Sequence, residues 1–263
     1  MTKNAAYVLS QQRSPDVERS RLRLVEEFHD PLTVSQLDAI GVGEGWRCLD
    51  VGAGGGSVTT MLADRVGSTG SVLAVDLDTS LLDKLASSRV EVRRLDLMSD
   101  QLPEAQFDLV HARLVLMFLS PRLRAVERLA SMARPGGWVA SIAPDFTTVA
   151  LSPANLVWQR VWSLFLDAAL ASGWDPGYGA RHCADLRAAG LIDVHADHIA
   201  RSYPCGSLPS RLLSLTVERM RESMVSLGAD GREVDEMRRL LEDPANTLTS
   251  AMSCVARGRR AIA

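Results

Sequence analysis

The sequence predicts a doubly wound α/β fold (Rossmann-like): a seven-stranded, mostly parallel sheet with N-terminal helices before it and a helical cap insertion near its end. Three observations predict it. From Trp46 onward, short apolar runs alternate with helical stretches, and a glycine-rich turn joins the first run to the first of those helices. The third is bulk composition: 263 residues, 46% hydrophobic and 23% charged, suit one elaborated globular α/β domain.

Before about Gly45 the chain reads as helices. Ser14-Pro15 supplies an N-cap and a first-turn proline, and Val17, Leu22, Val25 and Phe28 follow at helical spacing. Thr33 to Gln36 reads as a capping box for a second, short helix that stops near Gly41 or Gly43. Strands are then expected at Trp46 to Val51, Ser71 to Val75, Val90 to Leu97, Phe107 to Leu114 and Trp138 to Ala143. Between them, Ser57 to Arg65 forms a helix ending at Gly67, and Ser120-Pro121 caps another that runs to Arg134-Pro135-Gly136-Gly137. Strand-helix alternation of this kind predicts a parallel sheet covered on both faces.

After Pro144 the alternation loosens. Ser152-Pro153 is expected to start a long helix carrying Trp158, Trp162 and Phe165, and the turn Gly173 to Gly179 leads into a short helix ending at Gly190. A strand from Leu191 to Tyr203, helices at about Pro209 to Leu227 and Arg232 to Leu241, and a last strand within Thr247 to Val255 complete the reading. The organisation is thus a helical cap segment at 1–44, a core at 45–206, a helical lid insertion at 207–245 and the last core strand at 246–263.

Leu49-Asp50-Val51-Gly52-Ala53-Gly54-Gly55-Gly56-Ser57 ends the first strand and opens the first core helix, where an α/β fold presents backbone to a ligand. Glycines there permit positive φ and close backbone approach. A dinucleotide site has G-x-G-x-x-G; here the pattern is D-x-G-x-G-x-G, with Ser57 at the place of the third glycine. That spacing favours S-adenosylmethionine (SAM), which has no pyrophosphate for a helix end to face. Asp76, with Leu77 beside it, ends the second strand and suits two ribose hydroxyls; Asp96 and Leu97 end the third and suit an adenine amino group and ring.

These motifs resemble those of the class I SAM-dependent methyltransferases of the bacterial small-molecule and natural-product type, over about Trp46 to Phe146. The resemblance implies cofactor contacts from Asp50, Gly52, Ala53, Gly54, Gly56, Asp76, Leu77, Asp96 and Leu97. It extends to Phe107-Asp108-Leu109-Val110-His111-Ala112-Arg113-Leu114, which is similar to the family's fourth strand. By alternation His111 and Arg113 share a face there; both are expected as cofactor contacts, with Arg113 reaching the methionine carboxylate. An NAD(P)-dependent oxidoreductase, or a SAM fold repurposed for cyclisation, is the alternative.

Methyl transfer is an in-line displacement on carbon, assisted by a general base where the acceptor must lose a proton. Related enzymes often carry a histidine where this chain has Phe118, so the base is sought among His111, Asp145, Asp167 and His182, with Phe118, Trp174 and Tyr178 as acceptor contacts. An apolar or aromatic small-molecule acceptor is expected. No N-P-P-Y or D-P-P-Y follows the fourth strand, and a net charge of −3 argues against nucleic acid or anionic membrane partners. The four cysteines are scattered and His195 and His198 point to opposite faces, so no metal is expected. Without an apolar leader in Met1 to Arg21 or any spanning segment, a cytoplasmic protein is expected, with a homodimer contact as the other use of the insertion.

Overall fold

The computed structural model describes residues 15–101 and 103–262, so the expected cap at Ser14 lies outside the described residues. The first helix, α1 (Pro15–Ile40), is one continuous element and not the expected pair. Thr33 does not cap a second helix: its hydroxyl donates to the His29 carbonyl one turn back, while Gln36 Nε2 donates to the carbonyls of Ser141 at 3.3 Å and Ala256 at 2.7 Å. Pro31 inside a helix costs about 3 kcal/mol. Full burial of Leu37 and Ile40 returns about 1.5–3 kcal/mol each, so the helix runs through. It stops at Gly41, where φ is +78°.

Next come β1 (Arg47–Val51), α2 (Ser57–Val66), β2 (Ser71–Asp76), β3 (Val90–Arg94), β4 (Phe107–Arg113), α3 (Arg122–Met132) and β5 (Ala133–Asp145). β3 stops short of the expected Leu97. Asp96 ends the ladder by accepting from the Met98 amide at 2.8 Å, while its own amide donates to Asp100. β5 is longer than expected. It absorbs Arg134 to Gly137 through a register shift against β4 between Phe107 and Leu109.

Beyond β5 lie β6 (Ala150–Ser152), α4 (Leu156–Ala171), α5 (Tyr178–Ala188), β7 (Leu191–Ile199) and β8 (Ser202–Pro204). The chain continues through α6 (Leu208–Arg219), α7 (Arg221–Ser226), α8 (Gly231–Glu242), β9 (Thr247–Thr249) and β10 (Met252–Arg260). α4 begins three residues after the expected Pro153, because Asn155 is its cap and accepts from the Trp158 amide at 3.0 Å. Two expected strands each split in two. Leu191 to Tyr203 divides into β7 and β8, and the last strand into β9 and β10, since β6, β9 and β8 build a small antiparallel sheet of their own.

The main sheet has the order β3-β2-β1-β4-β5-β10-β7. Its strands are parallel except β10, which is antiparallel to β5 and to β7. α1 and α2 cover one face over Leu37, Cys48, Leu62, Val66 and Leu109. α3 and α5 cover the other, over Leu49, Val110, Leu129 and Leu186, while α4 packs on α7 and α8. The stack Trp158–Trp162–Phe165 is therefore core. Strand order reverses between β1 and β4, and the crevice outside the carboxyl ends of strands at such a point is where these folds bind ligands.

Candidate active site

A cavity of about 460 Å³ opens at that crevice. One half is walled by Val51 to Gly55, Asp76 to Asp78 and Leu95 to Leu97, the other by α1, α6 and the segments around Phe118, Phe146, Trp174 and Leu248.

The glycine loop forms the floor of the first half. Gly52 has φ +69°, and a Cβ there would lie 2.3 Å from Val115 Cγ2, so the residue after β1 must be glycine for the turn after β4 to pack against it. The Gly52 amide donates to the Val75 carbonyl at 2.8 Å, and the Gly54 amide donates to Asp76 Oδ2 at 2.9 Å. Asp76 Oδ1 also accepts from the Asp78 amide at 3.2 Å. Burial pushes the Asp76 carboxyl above the ordinary carboxylate range in spite of these donors. Leu77, Asp96 and Leu97 belong to the same wall.

Three expected cofactor residues sit elsewhere. Gly56 is the N-cap of α2 and lies behind the loop. Asp50 is buried under α2, where Oδ2 accepts from Thr59 Oγ1 at 2.7 Å and Oδ1 lies 3.4 Å from His111 Nδ1. Asp50 and His111 thus tie β1 and β4 to α2, and neither is in the cavity wall. Arg113 shares the His111 face and does reach the wall, but its guanidinium is already engaged. It donates to Asp30 at 2.7 Å, Thr33 at 3.1 Å and Ser57 at 2.8 Å.

In the second half, Phe118 and Trp174 line the cavity as expected residues, their ring centroids 5.6 Å apart. Phe146, not anticipated, meets Trp174 edge-on at 5.0 Å. Tyr178, expected as an acceptor contact, is not in the cavity wall: it is the first residue of α5 and wholly buried beside His182. His182 is buried too, with Nε2 2.6 Å from Ser141 Oγ, and burial pulls its ring down to about 4. Asp145 accepts from the Thr147 amide at 2.9 Å and its hydroxyl at 2.5 Å, which caps a short turn and leaves it outside the wall. Asp167 is a solvated residue of α4. None of the four expected bases reaches the cavity.

The wall residues that sequence reasoning missed come mainly from α1: Glu18, Arg21, Leu22, Val25, Glu26, Phe28 and His29. Their signal was present as polar side chains on the same helical stripe as Leu22 and Val25. Glu18 bridges to Arg21 on α1 at 2.6 Å and to Arg219 on α6 at 3.1 Å. Burial pushes its carboxyl up, but the two guanidiniums outweigh this and hold it below the usual range.

The glycine loop, the strand-end acids and the apolar ring-sized walls at Leu77 and Leu97 fit an adenosyl group in chemistry and placement. The fold is shared with the class I SAM-dependent methyltransferases, whose cofactor is SAM, and the glycine loop and strand-end acids resemble theirs. Residues 49–141 match the methyltransferase domain family. Among relatives, the aklanonic acid methyltransferase DauC of Streptomyces sp. (strain C5) is 30% identical over 131 residues, 47% of this chain and 60% of that protein. The methyltransferase str2 of Strobilurus tenacellus is 25% identical over 86% of this chain and 82% of its own length. The chain thus spans 60% of the length of DauC, less than two thirds of it. Among solved structures, Haemonchus contortus phosphoethanolamine N-methyltransferase 2 in complex with SAM superposes with a TM-score of 0.62 at 13% identity, covering 99% of this chain and 60% of that one. Among the described residues no helix is long and apolar enough to cross a membrane, and no group of three His, Cys, Asp or Glu is placed to hold a metal ion.

Proposed function

We propose that this chain moves the sulfonium methyl of SAM to an O, N or C nucleophile of a small, apolar or aromatic metabolite. One observation carries the reading: a single cavity joins the glycine loop and Asp76 to a wall of Phe118, Phe146 and Trp174. Cofactor and acceptor would then share one continuous cavity, which is what in-line transfer needs. DauC, by its name, acts on aklanonic acid, and this supports a metabolite acceptor.

When bound, SAM supplies an electrophilic methyl group on a positively charged sulfur. In this reading the Gly52 to Gly55 backbone lies along its methionine part, Asp76 accepts from the ribose hydroxyls, and Asp96 accepts from the adenine amino group between Leu77 and Leu97. Phe118, Phe146 and Trp174 seat the acceptor. The N-terminal cap (1–44) and the insertion (207–245) act as a lid, through the cavity-facing sides of α1 and α6, and exclude water.

Calorimetric titration with SAM, S-adenosylhomocysteine, NAD and NADP tests the reading, with binding expected for the first two alone. Equal stabilisation by NAD would sink it. Hydrogen exchange tests the lid: protection across residues 15–40 and 207–245 is expected on adding cofactor with acceptor. Protection that tracks protein concentration instead would make these segments a subunit contact in a homodimer.

A further inference from the structure

Of the five histidines, His29 alone belongs to the cavity wall. It sits on α1 between the two halves. The next residue, Asp30, pairs with Arg113 at the end of β4 and with Ser57 beside the glycine loop. The preceding residue, Phe28, meets Tyr203 of β8 on the acceptor side, its ring centroid 6.1 Å away. The ring of Phe28 also stands edge-on against the imidazole at 4.8 Å.

The hydrogen bonding of His29 settles its tautomer. Nδ1 lies 2.9 Å from the Val25 carbonyl oxygen, which can only accept. Nδ1 therefore carries the proton and Nε2 the lone pair. Burial first, and then the Arg113 charge, outweigh the Val25 carbonyl and pull the ring down to about 4, so it is neutral at pH 7. A neutral imidazole is also the form compatible with a sulfonium nearby, since an imidazolium would repel it.

We propose that Nε2 of His29 accepts the hydrogen bond, and then the proton, of a hydroxyl on the acceptor, so that the chain is an O-methyltransferase for a hydroxylated apolar metabolite. This rests on the methyltransferase reading and narrows its acceptor. The step balances without a further reactant. The acceptor oxygen forms a bond to the methyl carbon, the carbon–sulfur bond breaks with its electron pair going to sulfur, and the hydroxyl proton passes to Nε2. The ring holds that proton weakly and returns it to water when the lid opens. His29 would thus take the part that the chain, with Phe118 after β4, does not place there.

The test uses the protein loaded with S-adenosylhomocysteine and two probes, 1-naphthol and 1-methoxynaphthalene, which differ only in the donor hydroxyl. Calorimetry is expected to show about a tenfold preference of the wild type for the naphthol. In His29→Phe that preference should vanish while affinity for S-adenosylhomocysteine stays within about twofold, showing a folded cofactor half. Absence of the preference in the wild type, or its survival in the variant, overturns the proposal. Should His29→Phe not fold, nitrogen-15 spectra of the wild-type imidazole decide. A neutral Nδ1–H ring at pH 7 whose Nε2 resonance moves on adding naphthol supports the proposal, and a protonated or unresponsive Nε2 overturns it. Failure to bind S-adenosylhomocysteine at all would instead count against the methyltransferase reading itself.

Discussion

Arg113, at the end of β4, and Asp30, in the third turn from the end of α1, form an ion pair at 2.7 Å with the arginine side chain only 9% exposed. With Thr33 and Ser57 as further acceptors, one guanidinium fastens α1 and α2 to the sheet beside the cofactor cavity. Arg113→Ala should therefore cost about 2–3 kcal/mol of folding free energy, because Asp30 is left half-buried without its cation. Urea unfolding of Arg113→Ala, Asp30→Ala and the double variant checks this. The double-variant cycle should return a coupling of about 1 kcal/mol, and additive effects would show that the pair does not act as one unit.

Asp76→Ala should weaken SAM binding by about 1–3 kcal/mol, since it removes the proposed acceptor for two ribose hydroxyls and the partner of the Gly54 amide. The sign of its pH dependence follows from burial, which raises the carboxyl above its unfolded value. The free folded protein then holds a proton more readily than the unfolded chain, so the carboxyl's effect favours folding at low pH and is lost as pH rises through the raised value. Ribose donors favour the carboxylate, so binding releases a proton and SAM affinity rises with pH across that same window. Titration of the wild type should show the rise and Asp76→Asn should flatten it.

Gly52→Ala and Gly55→Ala separate backbone strain from space. At Gly52 the added Cβ meets Val115 and the φ of +69° is left-handed, worth about 1–2 kcal/mol of strain before the clash. At Gly55 the Cβ would lie 2.3 Å from Glu26 Oε1, the far end of a side chain that can turn away. Thermal unfolding should place Gly52→Ala well below the wild type and Gly55→Ala close to it. The reverse order would mean that Glu26 is locked.

His29 and His182 are both buried and both titrate near 4, below the unfolded value of 6.5. Between those values the unfolded chain binds more protons, so their stability contribution is present above about 6.5 and lost as pH falls towards 4. Each adds a slope of up to about 1.4 kcal/mol per pH unit in that window. Unfolding free energies measured at pH 7 and pH 5 should differ accordingly, and the difference should shrink in His182→Phe.

The strand-helix alternation, the glycine loop and the strand-end acids are legible because each depends on local rules: apolar period, turn chemistry and a position at the end of a strand. The acceptor half is not. By residue type Asp145, His111 and His182 are equally fit for a base; only packing puts the first into a cap, His111 under α2 and His182, on α5, against Ser141 of β5. Tyr178 reads as a turn residue because the helix that begins with it has no side-chain cap to announce it. Pro31 and the Thr33 to Gln36 pattern imitate a helix boundary within α1, whereas the partners of Gln36, Ser141 and Ala256, lie more than a hundred residues away. His29 is not legible for the same reason: what makes it special is the cavity, and the cavity is assembled from α1, α6 and the ends of several strands.

The small sheet of β6, β9 and β8 gives the molecule a seam. Pro204 of β8 stands opposite Thr247 of β9, and the Cys205 amide donates to the Asn246 carbonyl at 2.9 Å, so the excursion from 205 to 246 leaves and re-enters the fold at adjacent rungs. The clamp fixes the base of the segment, while Leu213, Val217, Met224 and Val234 hold its body in the main core. Changes confined to the cavity-facing side of α6 would therefore reshape the second half of the cavity and leave the backbone of β1 and β2 as it is.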